Sequence, residues 1–432
     1  MKINQAIVPT GLFQFISFLR RAIFYAFFYL YLRTFLELPA TLAALLGTMN
    51  LTGSLFGQLK IWGPRLNHQP SLAKKYVVRG EIIAAFTYFI AYVAHNIFLG
   101  FGDKTGAAFI MIVLLSLLEI FWSMSDLGIR FLIAQATEGQ HRGQLVGFID
   151  GIGLIGQIIG FLISGLLYRN GLGFSEGTIF YVVVVLILLC AVVIQFYPQV
   201  KRTDVDLLTS EHPQNIRELL KNHSFLIFIL CLMVLVIGIS SSTQIFLYYG
   251  EDQIGLDFND QLISYLLILF SITGGLITPL AGRASDKIGR IPVIIFGSFG
   301  SSISYFLFFL LGKQPFLIIA VIYSLLGACF ALIQSIAFAH TADILPEELR
   351  GTGFALYNIT LATGWGLAGF IVGGPVADLL IFIGQPTAIA YRIAFLVSSL
   401  VIFSGTLALW AYLKIIRRDL LPTSVDMNHF SN

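Results

Sequence analysis

The sequence predicts an all-α polytopic membrane protein, with twelve transmembrane helices in two pseudo-symmetric six-helix bundles. Three observations predict it. Of the 432 residues, 57% are hydrophobic and 11% charged, with mean hydropathy +0.86, whereas soluble domains carry about 25% charged residues. Twelve apolar runs alternate with short polar connections, each near the roughly twenty residues that a hydrocarbon core about 30 Å thick requires. Lysine and arginine are also lopsided: alternate connections place 21 of the 26 on one side, Arg20 and Arg21 among them, leaving Arg33, Lys104, Arg169, Lys313 and Arg392 on the other. By the positive-inside rule both termini are then cytoplasmic, which requires an even number of spans.

The runs of the first half fall at 16–35, 40–59, 77–99, 106–126, 144–168 and 178–197. Those of the second fall at 224–248, 262–281, 292–311, 316–338, 353–377 and 391–413. Backbone groups in lipid find no water, so each run is read as a helix. Prolines such as Pro39, Pro64, Pro70, Pro198, Pro292, Pro315 and Pro386 stand at run ends or in connections, as helix boundaries predict. The chain start, MKINQ, is followed by no small-residue cleavage site, so no removable signal peptide is expected. Cys190, Cys231 and Cys329 each lie inside an apolar run. An odd count in such places argues for packing rather than disulfides or metal.

The longest polar stretch, 199–223, carries Lys201, Arg202, Asp204, Asp206, Glu211, Arg217 and Lys221. It divides the chain into an N-terminal bundle (1–198), a cytoplasmic linker (199–223), a C-terminal bundle (224–413) and a cytoplasmic tail (414–432). Its IRELLK piece reads equally as an interfacial helix or a solvated linker. An offset of 208 residues supports the division: Arg142-Gly143 matches Arg350-Gly351, Gly156 matches Gly364, and Gly165 matches Gly373.

The most specific segment is GRASDKIGR, Gly282 to Arg290, between the eighth and ninth runs. Glycines permit a tight turn, Asp286 can meet a helix N-terminus, and Lys287 and Arg290 stay in water. The pattern G-x-x-x-D-[RK]-x-G-R between membrane helices resembles the conserved loop of the major facilitator superfamily. That resemblance implies a transporter in which Gly282, Asp286, Lys287, Gly289 and Arg290 lock neighbouring helices by charge pairs and release them during alternating access. The first-half counterpart, GQLKIWGPR (Gly57 to Arg65), lacks the aspartate. Arg350, in LPEELRGTG, resembles the family's loop into the eleventh helix, and Arg142 is its first-half counterpart. The spacing of Gly147, Gly156, Gly160, Ser164 and Gly165 is similar to the family's proton-antiporter motif, with Phe161 at its proline and Ser164 at a glycine. Tight helix packing explains the same small residues. Sugar-porter and melibiose-type signatures are absent.

Ionisable groups inside a bilayer cost several kcal/mol and mark functional candidates. Glu119 lies well inside the fourth run, with Ser123 and Asp126 on the same helical face. Burial favours a carboxylate's protonated form, as a proton carrier needs. Glu119 therefore reads as a proton or cation coupling site, or as a structural hydrogen bond. Asp126 has Arg130 at i+4 and reads as one half of a local salt bridge. Asp150, near the start of the fifth run, reads as a second coupling site or as the partner of an arginine such as Arg130. At the 208 offset the second half carries Gly327 and Asn358 instead of these two acids.

Polar and aromatic candidates for the wall of a central cavity are Tyr25, Tyr29, Asn50 and Gln157 in the first half. In the second half they are Gln244, Gln334, Asn358 and Trp365, with Ser240, Tyr248 and Thr363 as further members. Family analogy points to the first, fourth, seventh and tenth helices as lining. The 39 phenylalanines suit either a greasy cavity or lipid contact.

The function expected is secondary-active, proton-coupled efflux of small amphipathic molecules across a plasma or inner membrane by alternating access, an antiporter. A proton- or sodium-coupled importer of a sugar or organic acid is the alternative, and a non-transporting receptor or scaffold a third reading. The expected partners are a small-molecule substrate, a coupling proton and the lipid bilayer. No nucleotide loop, metal-ligand cluster, nucleophile–base pair or nucleic-acid-type basic cluster stands in the chain, so no enzyme activity, cofactor or nucleic-acid partner is expected.

Overall fold

Twelve helical segments account for the twelve apolar runs. In the first half they are α1 (Ile3–Leu30), α2 (Ala40–Phe56), α3 (Ala73–Gly100), α4 (Lys104–Ala136), α5 (Arg142–Tyr168) and α6 (Thr178–Val193). In the second they are α7 (His223–Ser241), α8 (Asp260–Ile288), α9 (Arg290–Leu311), α10 (Phe316–Ile344), α11 (Arg350–Ala368) and α12 (Thr387–Leu420). The computed structural model describes residues 3–136, 142–198, 219, 221–345 and 350–420, so the expected linker falls almost wholly outside the described residues. Eleven of the helices are long and apolar enough to cross a membrane. The exception is α2, which is 17 residues long.

Several boundaries differ from expectation, and two of the differences bear on the site. α1 begins at Ile3 rather than near residue 16, because Ala6, Phe13 and Ile16 are buried against Tyr76, Val77 and Met124. Arg20 and Arg21 thus sit in the middle of a spanning helix and not in a loop. GRASDKIGR is mostly helix, because nothing breaks α8 before Gly289. The chain turns there on one residue at φ +95°, a conformation that glycine adopts without the strain of a Cβ.

Each half packs by the same plan. In the first, α1 packs on α5 and α6, α4 on α2 and α3, and α3 on α6; in the second, α7 packs on α11 and α12, α10 on α8 and α9, and α9 on α12. The 208-residue offset is physically meaningful within this plan. Gly156 of α5 lets the helix approach the α1 backbone at Phe15, and Gly364 of α11 approaches Val236 and Ile237 of α7. Replacing Gly156 by leucine places a Cβ 3.0 Å from the Phe15 carbonyl carbon, and backbone cannot yield cheaply. Gly156→Leu is expected to lower the unfolding temperature markedly, at a cost of about 1–3 kcal/mol. Gly282→Leu, with nothing within 4 Å, should leave it unchanged in the same thermal scan.

The halves meet along two pseudo-symmetric seams, α2 against α11 and α5 against α8. Gly47 and Leu51 touch Gly366, Ala44 touches Gly369, Gly165 touches Ser264, and Leu154 reaches Gly275. Thr48 Oγ1 donates to Gly366 O at 2.7 Å. All these contacts lie at one end and the middle. Farther along the same faces, Asn358 and Asp150 are exposed. In α11 a π-helical turn, Gly369–Gly373, precedes Pro375, which has no N–H to continue the ladder.

Candidate functional site

The first bundle holds a charged cluster that links three helices. Arg20 of α1 is 1% exposed, and its Nη2 lies 3.1 Å from the carboxylate of the fully buried Glu81, two turns into α3. Ser125 Oγ and Trp122 Nε1 of α4 also donate to Glu81 Oε1, at 2.6 and 3.3 Å. The Arg20 guanidinium lies 4.1 Å from the Trp122 ring centroid, a cation–π contact. Next to it, Arg21 donates to Asp126 Oδ1 at 2.6 Å. Asp126 therefore pairs across helices with Arg21, and not with Arg130 as its spacing suggested, because Arg21 is turned into the bundle while Arg130 is exposed.

Glu119, two turns from Asp126 on α4, is different. It is half-buried, and among the described residues its carboxylate takes part in no hydrogen bond or ion pair. Its Cβ faces α2 at Gly53, where an added methyl would stand 3.4 Å away. Tyr25, Tyr29 and Tyr88 lie within its electrostatic reach, as do Arg20 and Arg21. Tyr88 Oη donates to Tyr25 Oη at 3.5 Å, and Ser116 Oγ donates to Asn50 Oδ1 at 3.0 Å. Glu119, Tyr25, Tyr29 and Asn50 thus share one polar region where α1, α2 and α4 converge.

Asp150 takes no arginine partner among the described residues: Gln14 Nε2 donates to its Oδ1 at a long 3.5 Å. Its carboxylate faces α1 from an exposed position, which is why Arg130 on α4 does not pair with it. Gln157 is half-buried one helical stretch farther along α5. In the second bundle, Gln244 lies near Gly369, and Trp365 packs edge-on against Phe330 of α10 at 5.6 Å. Gln334 and Asn358 are exposed. Ser240 and Tyr248 are buried, their hydroxyls without a hydrogen-bond partner among the described residues, and Thr363 is half-buried. No carboxylate among the described second-half residues takes Glu119's place, since Gly327 stands at the corresponding position and packs on Phe270.

The expected gating residues form one compact joint. Arg290, first in α9, donates through Nη1 to Asp286 Oδ1 at 2.6 Å and to Ser285 Oγ at 2.6 Å. Its Nε donates to Asp343 Oδ2, in the last turn of α10, at 3.0 Å. Asp286 lies in the last turn of α8 and pairs with Arg290 rather than capping a helix. Lys287 is exposed. Asp343 completes the joint, and sequence spacing offered no signal for it because 53 residues separate it from Arg290. The side chains of Arg142 and Arg350 lie outside the described residues, though α5 and α11 begin at those two positions. Gly160 touches Leu19 and Ala22 of α1, and Ser164 Oγ donates to Ile23 O at 2.8 Å; these small residues make a close seam.

The closed end is held by a carboxylate acting across the halves. α2 begins after Pro39, whose side chain offers no cap, so its first N–H groups need an outside acceptor. Asp378, beyond the π turn of α11, supplies both oxygens: Ala40 N donates to Oδ1 at 2.9 Å and Thr41 N to Oδ2 at 2.8 Å. The residue 208 positions earlier is Asn170, whose N–H donates to Asp260 Oδ2 at the start of α8 at 3.0 Å. The two seams therefore end in symmetry-related joints. Arg33 Nε adds a bond to Tyr391 Oη at 3.3 Å, and Glu251 lies within electrostatic reach of Asp260. Asp378→Ala is expected to remove about 1–3 kcal/mol of closure and to shift the opening equilibrium roughly five- to hundredfold. Spin labels at Glu37 and Gln385, read by pulsed dipolar spectroscopy, should then show a longer-distance population.

Comparison with known proteins adds the following. The profile of the Major Facilitator Superfamily matches residues 10–367 and 247–426. The tetracycline resistance protein, class E, of Escherichia coli is 29% identical over 134 residues, 31% of this chain and 32% of that protein. Multidrug resistance protein 1 of Bacillus subtilis (strain 168) is 29% identical over 117 residues, 27% of this chain and 29% of that protein. The matched stretches thus span about a third of each curated relative. Among solved structures, the nucleoside transporter NupG is similar with TM-score 0.75 and 16% identity, covering 96% of this chain and 100% of that one. The Escherichia coli xylose transporter XylE in a partially occluded inward-open conformation has TM-score 0.66 and 16% identity, over 95% and 97%. At such identity these two establish the fold alone.

Proposed function

This chain belongs to the major facilitator superfamily, and on that premise we propose that it couples proton entry to efflux of small amphipathic molecules by alternating access. A membrane transporter of this family needs a cavity reachable from one side at a time. Asp378 joins the halves at one end, and the exposure of Asp150 and Asn358 supports reading the other end as the open one. On the lysine and arginine bias of the connections we read the open end as cytoplasmic and this state as inward-open.

The observation that carries the reading is Glu119. A carboxylate inside the bundle that faces the cleft region without a fixed cation can take up and release a proton as its surroundings change. Its neighbours Arg20 and Arg21 already have acids of their own, Glu81 and Asp126. Around it, Tyr25, Tyr29 and Asn50 can hold a ligand's polar edge, while Phe330 and Trp365 across the cleft present rings to its apolar part. The sequence relatives whose names record tetracycline and multidrug resistance favour efflux. Import of a metabolite is the alternative, and the nucleoside- and xylose-transporting structures share its architecture.

Purified protein reconstituted with an internal pH dye, under an imposed proton gradient, tests the proposal. Amphipathic compounds are expected to collapse the gradient in a dose-dependent way, and to accumulate on the side from which protons leave. A response to sugars or organic acids alone, with solute moving along with the proton, would instead establish the importer. Silence toward every compound would remove the proton.

A further inference from the structure

The outer wall of the first bundle carries a second candidate site, away from Glu119 and the seams. Residues 57–80 contain Lys60, Arg65, Lys74, Lys75 and Arg79 and no acid. In the corresponding joint of the second half, Arg290 is neutralised by Asp286 and Asp343. Here the resemblance calls for an aspartate that the chain lacks, and the next acid, Glu81, is taken by Arg20. Lys74 is consumed by the carbonyls of Gln195 and Tyr197, at 2.6 and 2.7 Å. Arg65 and Arg79 form no ion pair among the described residues. Both are exposed.

These two arginines line a cavity of about 450 Å³ together with Trp62, Tyr76, Ile82 and Phe121. Within it Trp62 Nε1 donates to Ile120 O at 2.6 Å, and the Arg65 guanidinium stands 5.3 Å from the Trp62 ring centroid. Away from the arginines, two exposed apolar stripes run along the bundle. Ile82, Phe86, Val93 and Ile97 form one on α3, and Phe121, Leu117 and Val113 form the other on α4. Two unpaired cations and an aromatic anchor thus stand at the foot of a greasy furrow. This combination complements a phosphate joined to an acyl chain, and not a free ion.

We propose that this groove binds one anionic phospholipid, its phosphate between Arg65 and Arg79 and its chain between the α3 and α4 stripes. The lysine and arginine bias puts the arginines at the cytoplasmic leaflet, whose anionic lipids attract basic pockets between helices. Occupancy would tie the end of α2 to α3 and α4 without touching the cleft.

Native mass spectrometry of the full chain, titrated with phosphatidylglycerol and with phosphatidylcholine of the same chains, tests it. A roughly tenfold preference for phosphatidylglycerol is expected, unaffected by inorganic phosphate. Arg65→Gln/Arg79→Gln should abolish that preference. Ile82→Trp, which keeps both charges and fills the furrow, should also lose the bound lipid while its circular dichroism stays helical. Equal binding of the two lipids would overturn the proposal. So would displacement of the lipid by inorganic phosphate alone, or an Ile82→Trp protein that binds phosphatidylglycerol as before.

Discussion

Glu119→Gln is expected to abolish substrate-driven proton movement while leaving the folded protein intact. The substitution keeps shape and volume beside Gly53 and removes only the titrating oxygen. Loss of a positioned proton-transfer group costs roughly hundredfold or more, so dye-reported proton flux in proteoliposomes should fall to background. Downhill exchange of substrate, which needs no proton, should continue. Asp150→Asn is the control, since Asp150 is exposed and bonded only to Gln14 at 3.5 Å among the described residues. It should alter flux far less. If Glu119→Gln transports against a gradient as the parent does, Glu119 is not the coupling acid. If both variants fall equally, coupling is shared between the two acids.

The second large effect concerns stability. Arg20→Ala or Glu81→Ala strands a charge that is now buried beside its partner, with Trp122 and Ser125 around it. Removing one member of a buried pair costs about 3–5 kcal/mol. Either variant should therefore show a large drop in thermal unfolding temperature in detergent, or fail to accumulate. The double change Arg20→Met/Glu81→Leu removes both charges and keeps most of the volume, so it should recover much of the loss. A double variant as unstable as the singles would mean that the cluster is held by the Trp122 and Ser125 contacts rather than by charge balance. Transport by a stable double variant would further separate this pair from the cleft.

Much of the architecture was legible because a bilayer imposes simple demands. Hydrophobic length reports a span, lysine and arginine report a side, and the glycine matches at 208 residues report a repeat. The repeat reaches further than the matched glycines, since it also pairs Asn170 with Asp378 at the closed end. The D-K-x-G-R run was legible as well, because its members sit within one helical turn and the following residue. What defeated local reading was distance along the chain. Arg20 and Arg21 look like loop cations next to a hydrophobic run, yet their acids lie 61 and 105 residues away. For the same reason Asp126 seemed paired with Arg130, four positions off, when the true partner comes from another helix.

The sequence by itself determined that this chain carries twelve apolar runs near membrane length, that its halves are related, and that it belongs with transporters of one superfamily. Those properties follow from composition, periodicity and contiguous motifs, which need no folding to be read. Only the tertiary structure decided which of the described acids are neutralised by a cation and which, Glu119 and Asp150 among them, are not. It also decided that the closed end is latched by Asp378 on the α2 N-terminus, and that Arg65 and Arg79 face a furrow rather than an acid. Each of these is a question of which helix face meets which. That is settled by packing among segments far apart in sequence, through charges and helix ends that cannot stay unsatisfied in a low-dielectric interior.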